Sequence, residues 1–441
     1  FEKLDRDVFD PEKAYDKLAL VGVKWVRLQS GWQRTEREKG VYNFAWLDRV
    51  VDELIARGMR PWICLCYGND LYTESAKQVF GAVGCPPIFT DEEKTAWANY
   101  VRATVRHFAG RVTHYEIWNE PDGKWCWKHG VSAEEYGRFA HDTAKAIREV
   151  SDDAFIIGGS VCMIWDLSYM DTALSAGMAG SVDAVTFHEY TADETALYTH
   201  VPALEALIHL HDPKIRLIQG ESGSQSRSDG CGALAGGAWT PERQAKQCLR
   251  HAVADLSTDV LFSSYFSCMD MIEALNGKVG DKTSYLDYGY FGILGADFDE
   301  NGFSSGEYSP KPSYYAYQNL CSVFAEDPEP CDLPIVRVIR PSASLLGNDY
   351  ADTLSLHGFR KPGGSYALAY WAPTPLLTTT IETTVSFRAA GLPEKMSLVD
   401  LMDGTIYDIS DHAEKSGSGI IIKNIPAKDY PMLLTFGDFI D

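Results

Sequence analysis

The sequence predicts a parallel α/β barrel of the (β/α)₈ type followed by a β-sandwich. Three observations carry this. From residue 12 to about 325, near-continuous apolar runs alternate with amphipathic stretches, the order of strands buried on both faces and the helices that cover them. A Pro-rich link, AEDPEPCDLP (325–334), interrupts that order. Beyond it the apolar runs shorten and are punctuated by Gly, Pro and Asp, as in an all-β domain. The expected division is therefore 1–325 for the barrel and 326–441 for the sandwich.

Seven barrel strands are read, at 23–29, 60–68, 112–120, 154–161, 183–190, 214–222 and 260–270. The helices between them carry boundary signals. Thr90 with Glu93 and Ser132 with Glu135 are capping-box pairs. Thr240-Pro241 is an N-cap with Pro at the first helical position. Gly58 stands where a helix would end. The chain opens on DPEKAYDKLALVGV (10–23), which reads as the helix between barrel strands one and two. Either the first strand lies upstream of Phe1, or the N-terminal residues supply something irregular. Sandwich strands are expected in PIVRVIR, LSLHGF, SYALAYW, TTVSFR, KMSLVDL, IIIKNIP and MLLTF.

A net charge of −22 and a pI near 4.9 repel phosphate backbones, so nucleic acid is excluded as a partner and a neutral ligand fits better. No run of 18 apolar residues spans a membrane. The ten cysteines lack zinc-site spacing and disulfide-scaffold density, which favours a reducing, cytoplasmic setting. Phe1 in place of Met leaves room for a processed N-terminus. The histidines are dispersed and no HExxH occurs, so no metal and no cofactor is called for. A homo-oligomer is left open.

In a parallel barrel, chemistry sits at the carboxyl ends of the strands. Glu120 in WNEP, His188 in FHEY and Glu221 in QGESG occupy such ends. With one strand upstream, the glutamates end strands four and seven and face each other across the mouth. Two facing carboxyls are the minimal equipment for cleaving a glycosidic bond. The bland alternative is a strand-end carboxylate that meets solvent or a helix N-terminus; it suits either Glu alone better than the pair. Pro121 is expected to hold Glu120 away from the right-handed helical region. Asp270, Glu273 and Glu189 are rival carboxylates. Tyr67 and Asn69 end the third strand and are candidates to face a sugar hydroxyl. Trp125 and Trp127 form a candidate stacking wall. The segment Gly223–Thr240 reads as a substrate-shaping lid, with Trp239 and Arg227 as contacts; it lacks the GK[ST] of a phosphate loop.

These motifs resemble the clan A glycoside hydrolases, which are retaining barrel enzymes. The stretch GVKWVRLQSGWQRTEREKGVYNFAWLDRVVDELIARGMRPWICLCYGN (22–69) is similar to the second and third strand region of glycoside hydrolase family 39, and KPSYYAYQNL to the helix closing such barrels. The resemblance implies that Glu120 is the general acid/base, Glu221 the nucleophile, and Asn119 a partner of the sugar 2-hydroxyl. It implies that His188 and Tyr190 line the pocket and that Arg27 orients the nucleophile. Where many of these enzymes end the last strand in Trp, this chain has SYFSCMD, so Tyr265, Phe266 or Asp270 is expected to substitute. The implied activity is a retaining, exo-acting hydrolase of a xyloside or arabinoside. The alternatives are an endo-acting glycanase of the same fold, a non-catalytic carbohydrate-binding protein and a transglycosylase.

Overall fold

The computed structural model describes residues 1–338 and 353–440. Seven parallel strands form one sheet in sequence order: β1 Trp25–Gln29, β2 Arg60–Leu65, β3 His114–Ile117, β4 Phe155–Val161, β5 Ala184–His188, β6 Arg216–Glu221 and β7 Val260–Ser263. Each lies within an expected strand, and each expected strand overran at its carboxyl end or its start. All five residues of β5 are buried, as in a strand covered on both faces. The covering helices include α1 Tyr15–Val21, α2 Ala45–Ala56, α3 Asp91–His107, α4 Ala133–Arg148, α5 Leu167–Ala173, α6 Leu197–His211, α7 Pro241–Leu256 and α8 Pro312–Val323.

The boundary signals act as chemistry requires. Thr90 Oγ1 accepts from the Glu93 amide at 3.1 Å and the Glu93 carboxylate accepts from the Thr90 amide at 3.1 Å, a complete capping box on α3. Ser132 caps α4 through the Glu135 amide, but the expected box stays half-formed because the Glu135 carboxylate meets His129 Nε2 at 2.8 Å; Thr240 caps α7 ahead of Pro241. Gly58 follows α2 with φ 80°, a left-handed value that glycine adopts without penalty.

Among the described residues the parallel sheet does not close. Its edges are β1 and β7, and a cavity of about 580 Å³ runs along the seam, lined by Phe1, Trp25, Phe262, Tyr317 and Phe324 among others. Residues before α1 supply no strand of this sheet. They enter as an irregular segment with a 3₁₀ turn at Leu4–Arg6, burying Phe1, Leu4, Val8 and Phe9. The stretch between β7 and α8 forms two short antiparallel pairs, Met271–Ile272 with Tyr288–Gly289 and Leu294–Phe298 with Ser304–Pro310. These are too short and too rich in Gly and Asp to show a period in the sequence.

The C-terminal region folds into two antiparallel sheets. One orders Glu329–Pro330, Ser355–Arg360, Tyr366–Trp371, Met432–Phe436, Met396–Asp400 and Ile406–Asp408; the other orders Ile335–Arg337, Glu382–Ala390, Gly419–Lys428 and Ala413–Ser416. The end of the expected strand PIVRVIR lies outside the described residues. Helix α7 is buried along nearly its whole length because it serves both layers. Its Leu249 and Val253 join the apolar core that contains Phe359, Trp371 and Phe387. Its Lys246 pairs with Asp429 at 2.6 Å, and its Arg250 pairs with Glu194 at 2.7 Å, while Trp371 Nε1 donates to the same Glu194 oxygen at 2.9 Å. Breaking one partner of such a buried pair is costly, so these contacts fix the sandwich against the barrel.

The same helix carries Asp255, fully buried, which accepts from Ser263 Oγ at 2.6 Å and lies 3.5 Å from His251 Nε2. Burial pushes Asp255 up to about 8 and His251 down to about 3, so both are neutral at pH 7. A raised carboxyl contributes stability that is fully present below its unfolded value and is lost as pH rises through about 8. Asp255→Asn mimics the protonated form at every pH. It is expected to raise the unfolding free energy increasingly from pH 5 to pH 8, by on the order of a few kcal/mol at pH 8, with Tm rising in step. A pH-independent difference in thermal melts would show that Asp255 does not take up a proton on folding.

Candidate active site

Strand β3 ends at Ile117, and the chain turns through Trp118 and Glu120, whose φ values are 68° and 45°. Glu120 is thus kept out of the right-handed helical region, in a left-handed turn rather than an extended one. The left-handed turn persists because the Trp118 amide donates to Leu65 O at 3.1 Å and the Glu120 amide to Ser160 O at 2.9 Å. Strain of this kind is stored where surrounding structure over-determines the backbone. Here it aims the Glu120 carboxylate inward, where Oε1 meets His188 Nδ1 at 3.0 Å and Oε2 accepts from Trp125 Nε1.

Glu221 ends β6. Its Oε2 accepts from Tyr190 OH at 2.8 Å and its Oε1 accepts from Arg27 Nη1. Arg27, buried on β1, divides its donors among several acceptors. Nε and Nη2 fork onto Glu116 at 2.6 and 3.0 Å, Nη1 also meets Glu2 at 2.6 Å, and Nη2 donates to Asn119 Oδ1 at 2.9 Å. Glu116 is completed by Trp62 Nε1 and Thr186 Oγ1, each at 2.8 Å. A planar guanidinium suits this task because its donors have fixed directions. His188 bridges the two sides, lying 3.5 Å from Glu221 Oε2 and 3.3 Å from Ser160 Oγ.

The titration of these groups follows from their packing. Burial alone would lower His188, but the Glu221 charge and the Glu120 hydrogen bond outweigh it and raise it. Burial raises Glu116, but Arg27 brings it below the ordinary carboxylate range. Glu2 and Glu221 divide unequally. Burial opposes the charge on Glu2, yet Arg27 and a hydrogen bond with Glu221 bring it down to about 2. Burial and the charge of Glu2 push Glu221 up to about 8. The two titrate as a pair holding one proton between them.

One oxygen each of Glu120 and Glu221 and a nitrogen of His188 lie within 4.8 Å of one another. That is a spacing a metal ion could span. The three atoms are engaged by each other and by Tyr190 and Arg27, and a guanidinium against Glu221 disfavours a cation.

Several sequence candidates lie elsewhere. Trp127 is fully buried and packs edge-on against Trp118, Tyr136 and Phe139, so it is core and not an exposed wall. Asn69 is buried and spends its amide on Glu36 O at 2.9 Å and the Leu71 amide at 2.9 Å. Tyr67 is buried beneath the site with its OH 3.5 Å from Cys126 Sγ. Gly223–Thr240 is pinned against the 288–292 strand end through Ser226 N to Tyr290 O at 2.9 Å and Cys231 N to Tyr288 O at 2.8 Å. Within it, Trp239 is buried and donates to Leu234 O, while Arg227 is exposed and paired with Asp229 at 2.6 Å. Tyr265 turns away to pack on Tyr317 of α8. Phe266 takes the inward position, edge-on to Tyr190 and Phe291. Of the rival carboxylates, Asp270 is paired with Lys311 at 2.6 Å, and Glu189 lies 3.8 Å from His200, where burial pushes it up to about 7. Glu273 faces Lys3 at 3.3 Å.

The sequence reading missed Glu116, Glu2 and Lys3. Glu116 had a signal, an acid inside the apolar run HYEIW. Glu2 and Lys3 had none, because the opening residues follow no period.

Residues 18–209 match the model of glycosyl hydrolases family 39. The family 39 match takes in Arg27, Asn119, Glu120, His188 and Tyr190 and ends before Glu221. A β-xylosidase of Geobacillus stearothermophilus is 29% identical over 164 residues, 35% of this chain and 32% of that protein. The chain thus aligns with about a third of that relative's length. Among solved structures, a family 39 glycoside hydrolase from Bacteroides cellulosilyticus WH2 superposes with a TM-score of 0.67 at 17% identity, over 97% of this chain and 78% of that one. A monomeric β-xylosidase from Caulobacter crescentus CB15 gives 0.62 at 16% identity, over 99% and 94%. The barrel-plus-sandwich fold is therefore shared along nearly the whole chain.

Proposed function

We propose that this chain is a retaining glycoside hydrolase that uses Glu120 as acid/base and Glu221 as nucleophile on a neutral glycan. The observation that carries the reading is the approach of the two carboxyls to within 4.8 Å. Retaining enzymes hold the pair about 5–5.5 Å apart, whereas inverting ones need about 6.5–9.5 Å to admit a water. In the first step Glu221 attacks the anomeric carbon as the bond to the leaving oxygen breaks, and Glu120 delivers a proton to that oxygen. In the second, water gives its proton to Glu120 as it displaces the Glu221 carboxylate. Tyr190 and Arg27 aim Glu221, and His188 Nδ1, 3.0 Å from Glu120 Oε1, orients the acid/base.

The exo-acting reading draws its support from Phe266 and the charged pair packed on it. Lys3 lies 4.9 Å over the Phe266 ring and 3.3 Å from Glu273, placing a buried charged pair behind the aromatic wall. The similarity to a β-xylosidase favours a pentoside.

Kinetics on Glu120→Ala test the acid/base role. Substrates with poor leaving groups are expected to slow by about 10²–10⁴-fold, while an activated aryl glycoside keeps most of its first step. Azide is expected to speed breakdown of the intermediate and give a glycosyl azide of retained configuration. Equal losses for good and poor leaving groups would overturn the assignment. Rates on aryl pentosides and hexosides then decide the sugar; faster turnover of hexosides would remove the pentoside reading.

A further inference from the structure

Glu2 is held by the same Arg27 nitrogen as Glu221, and the two-step scheme gives it no task. We propose that Glu2 is a positioning residue for Glu221: by sharing Arg27 Nη1 it keeps the guanidinium from fully neutralising the nucleophile and takes over that contact when Glu221 is esterified. The proposal rests on the reading of Glu221 as nucleophile.

The geometry is specific. Glu2 Oε1 lies 2.6 Å from Arg27 Nη1, the same nitrogen that donates to Glu221 Oε1. Its other oxygen accepts from Gln29 Nε2 at 3.2 Å, and Gln29 Oε1 is itself fixed by the Lys3 amide at 2.9 Å and Arg6 Nη2 at 2.7 Å. Glu2 is thus locked on both oxygens. The Arg27 Nε and Nη2 donors are spent on Glu116 and Asn119, so the two carboxylates meet on Nη1, which offers one N–H to each. The charged and titratable groups facing this pair are Arg27 from β1, Glu116 from β3, Glu120 beyond β3, His188 from β5 and Tyr190. Among the described residues Glu2 is the only carboxylate besides Glu221 on Nη1.

The consequence is a charge relay without proton transfer. Once Glu221 has given up its proton, Nη1 donates one N–H to each of two anions, and the single guanidinium charge is divided between them, so Glu221 is less stabilised and the better nucleophile. Once Glu221 forms its ester bond to the anomeric carbon, its negative charge is gone, and Glu2 holds Nη1 while Glu116 holds Nε and Nη2. On hydrolysis the carboxylate returns as a leaving group and the contact is shared again.

The test is Glu2→Gln in the full chain, with Glu2→Asp as the conservative variant. The titration of Glu221 is followed by ¹³C NMR of Glu-carboxyl-labelled protein, assigned by the resonance missing in Glu221→Gln. Removing the neighbouring negative charge is expected to lower the Glu221 midpoint by about one pH unit or more, with Glu2→Asp staying near the parent value. The acid limb of kcat/KM is expected to move down in parallel, with glycosylation slowed and deglycosylation speeded. A midpoint unmoved in Glu2→Gln, or a loss of stability with no change in titration, would overturn the proposal. A midpoint that moves in a protein with no glycosidase activity would uphold Glu2 as the positioning group while sinking the functional reading itself.

Discussion

Glu221→Gln is expected to lower kcat on an activated aryl glycoside by on the order of 10⁴-fold or more, with the fold intact. Covalent catalysis depends on one atom, and no neighbouring group can take its place within reach of the anomeric carbon. Glu2 is held on both oxygens by Arg27 and Gln29, and Glu116 is buried behind Arg27 with four donors on it. The amide keeps an oxygen to accept from Tyr190, and Arg27 retains Glu2 and Glu116, so stability should change little. Two measurements separate this loss from a general one. A 2-fluoro glycosyl inactivator should attach to Glu221 in the parent protein and to nothing in the variant. In Glu221→Ala, azide entering the vacated space should give a glycosyl azide of inverted configuration, because only one displacement occurs. Labelling of Glu2, Glu189 or Glu273 instead would mean that the nucleophile is misassigned.

The sequence announced Glu120 and Glu221 because a barrel strand ends where its apolar run ends, and a carboxylate there has few bland uses once a second one faces it. Helix boundaries were equally legible: the Thr90–Glu93 reciprocity is a local interaction and needs no tertiary context. Trp127 and Asn69 misled for the opposite reason. Both sit in loop sequence, yet the loop folds back, and tertiary packing decides that Trp127 joins Trp118 and Phe139 in the core. The Gly223–Thr240 segment looked free because length and glycines are visible in a sequence, whereas the backbone partners at 288–290 that pin it come from a distant stretch. Glu2 was hidden for a related reason. Its role exists only where β1, β3 and β6 converge, and nothing in FEKLD encodes that convergence.

Arg27→Met should have the largest effect on the protein as a whole. The substitution removes the one cation that three buried carboxylates share at Nε, Nη1 and Nη2, and the methionine returns no donor. Deleting one partner of a buried ion pair costs about 3–5 kcal/mol, and here the charge left behind is larger than one. Denaturation should show a stability loss of that order, together with loss of turnover. Arg27→Lys should fall between, since an ammonium keeps the charge but cannot fork onto Glu116 while also reaching Glu2 and Glu221. The pH dependence distinguishes electrostatics from packing. In the parent protein Glu116 and Glu2 lie below their ordinary values, so their contribution is present above about 4.5 and is lost as pH falls through the folded values. Without Arg27 burial dominates and raises both, so the variant must take up protons to fold and loses stability as pH rises. The deficit relative to the parent is therefore expected to be larger at pH 8 than at pH 5. Adding Glu116→Gln to Arg27→Met should recover part of it, because the two side chains are in direct contact and their effects cannot be additive. A deficit that is the same at both pH values and unrelieved in the double variant would mean that Arg27 stabilises the barrel by packing alone.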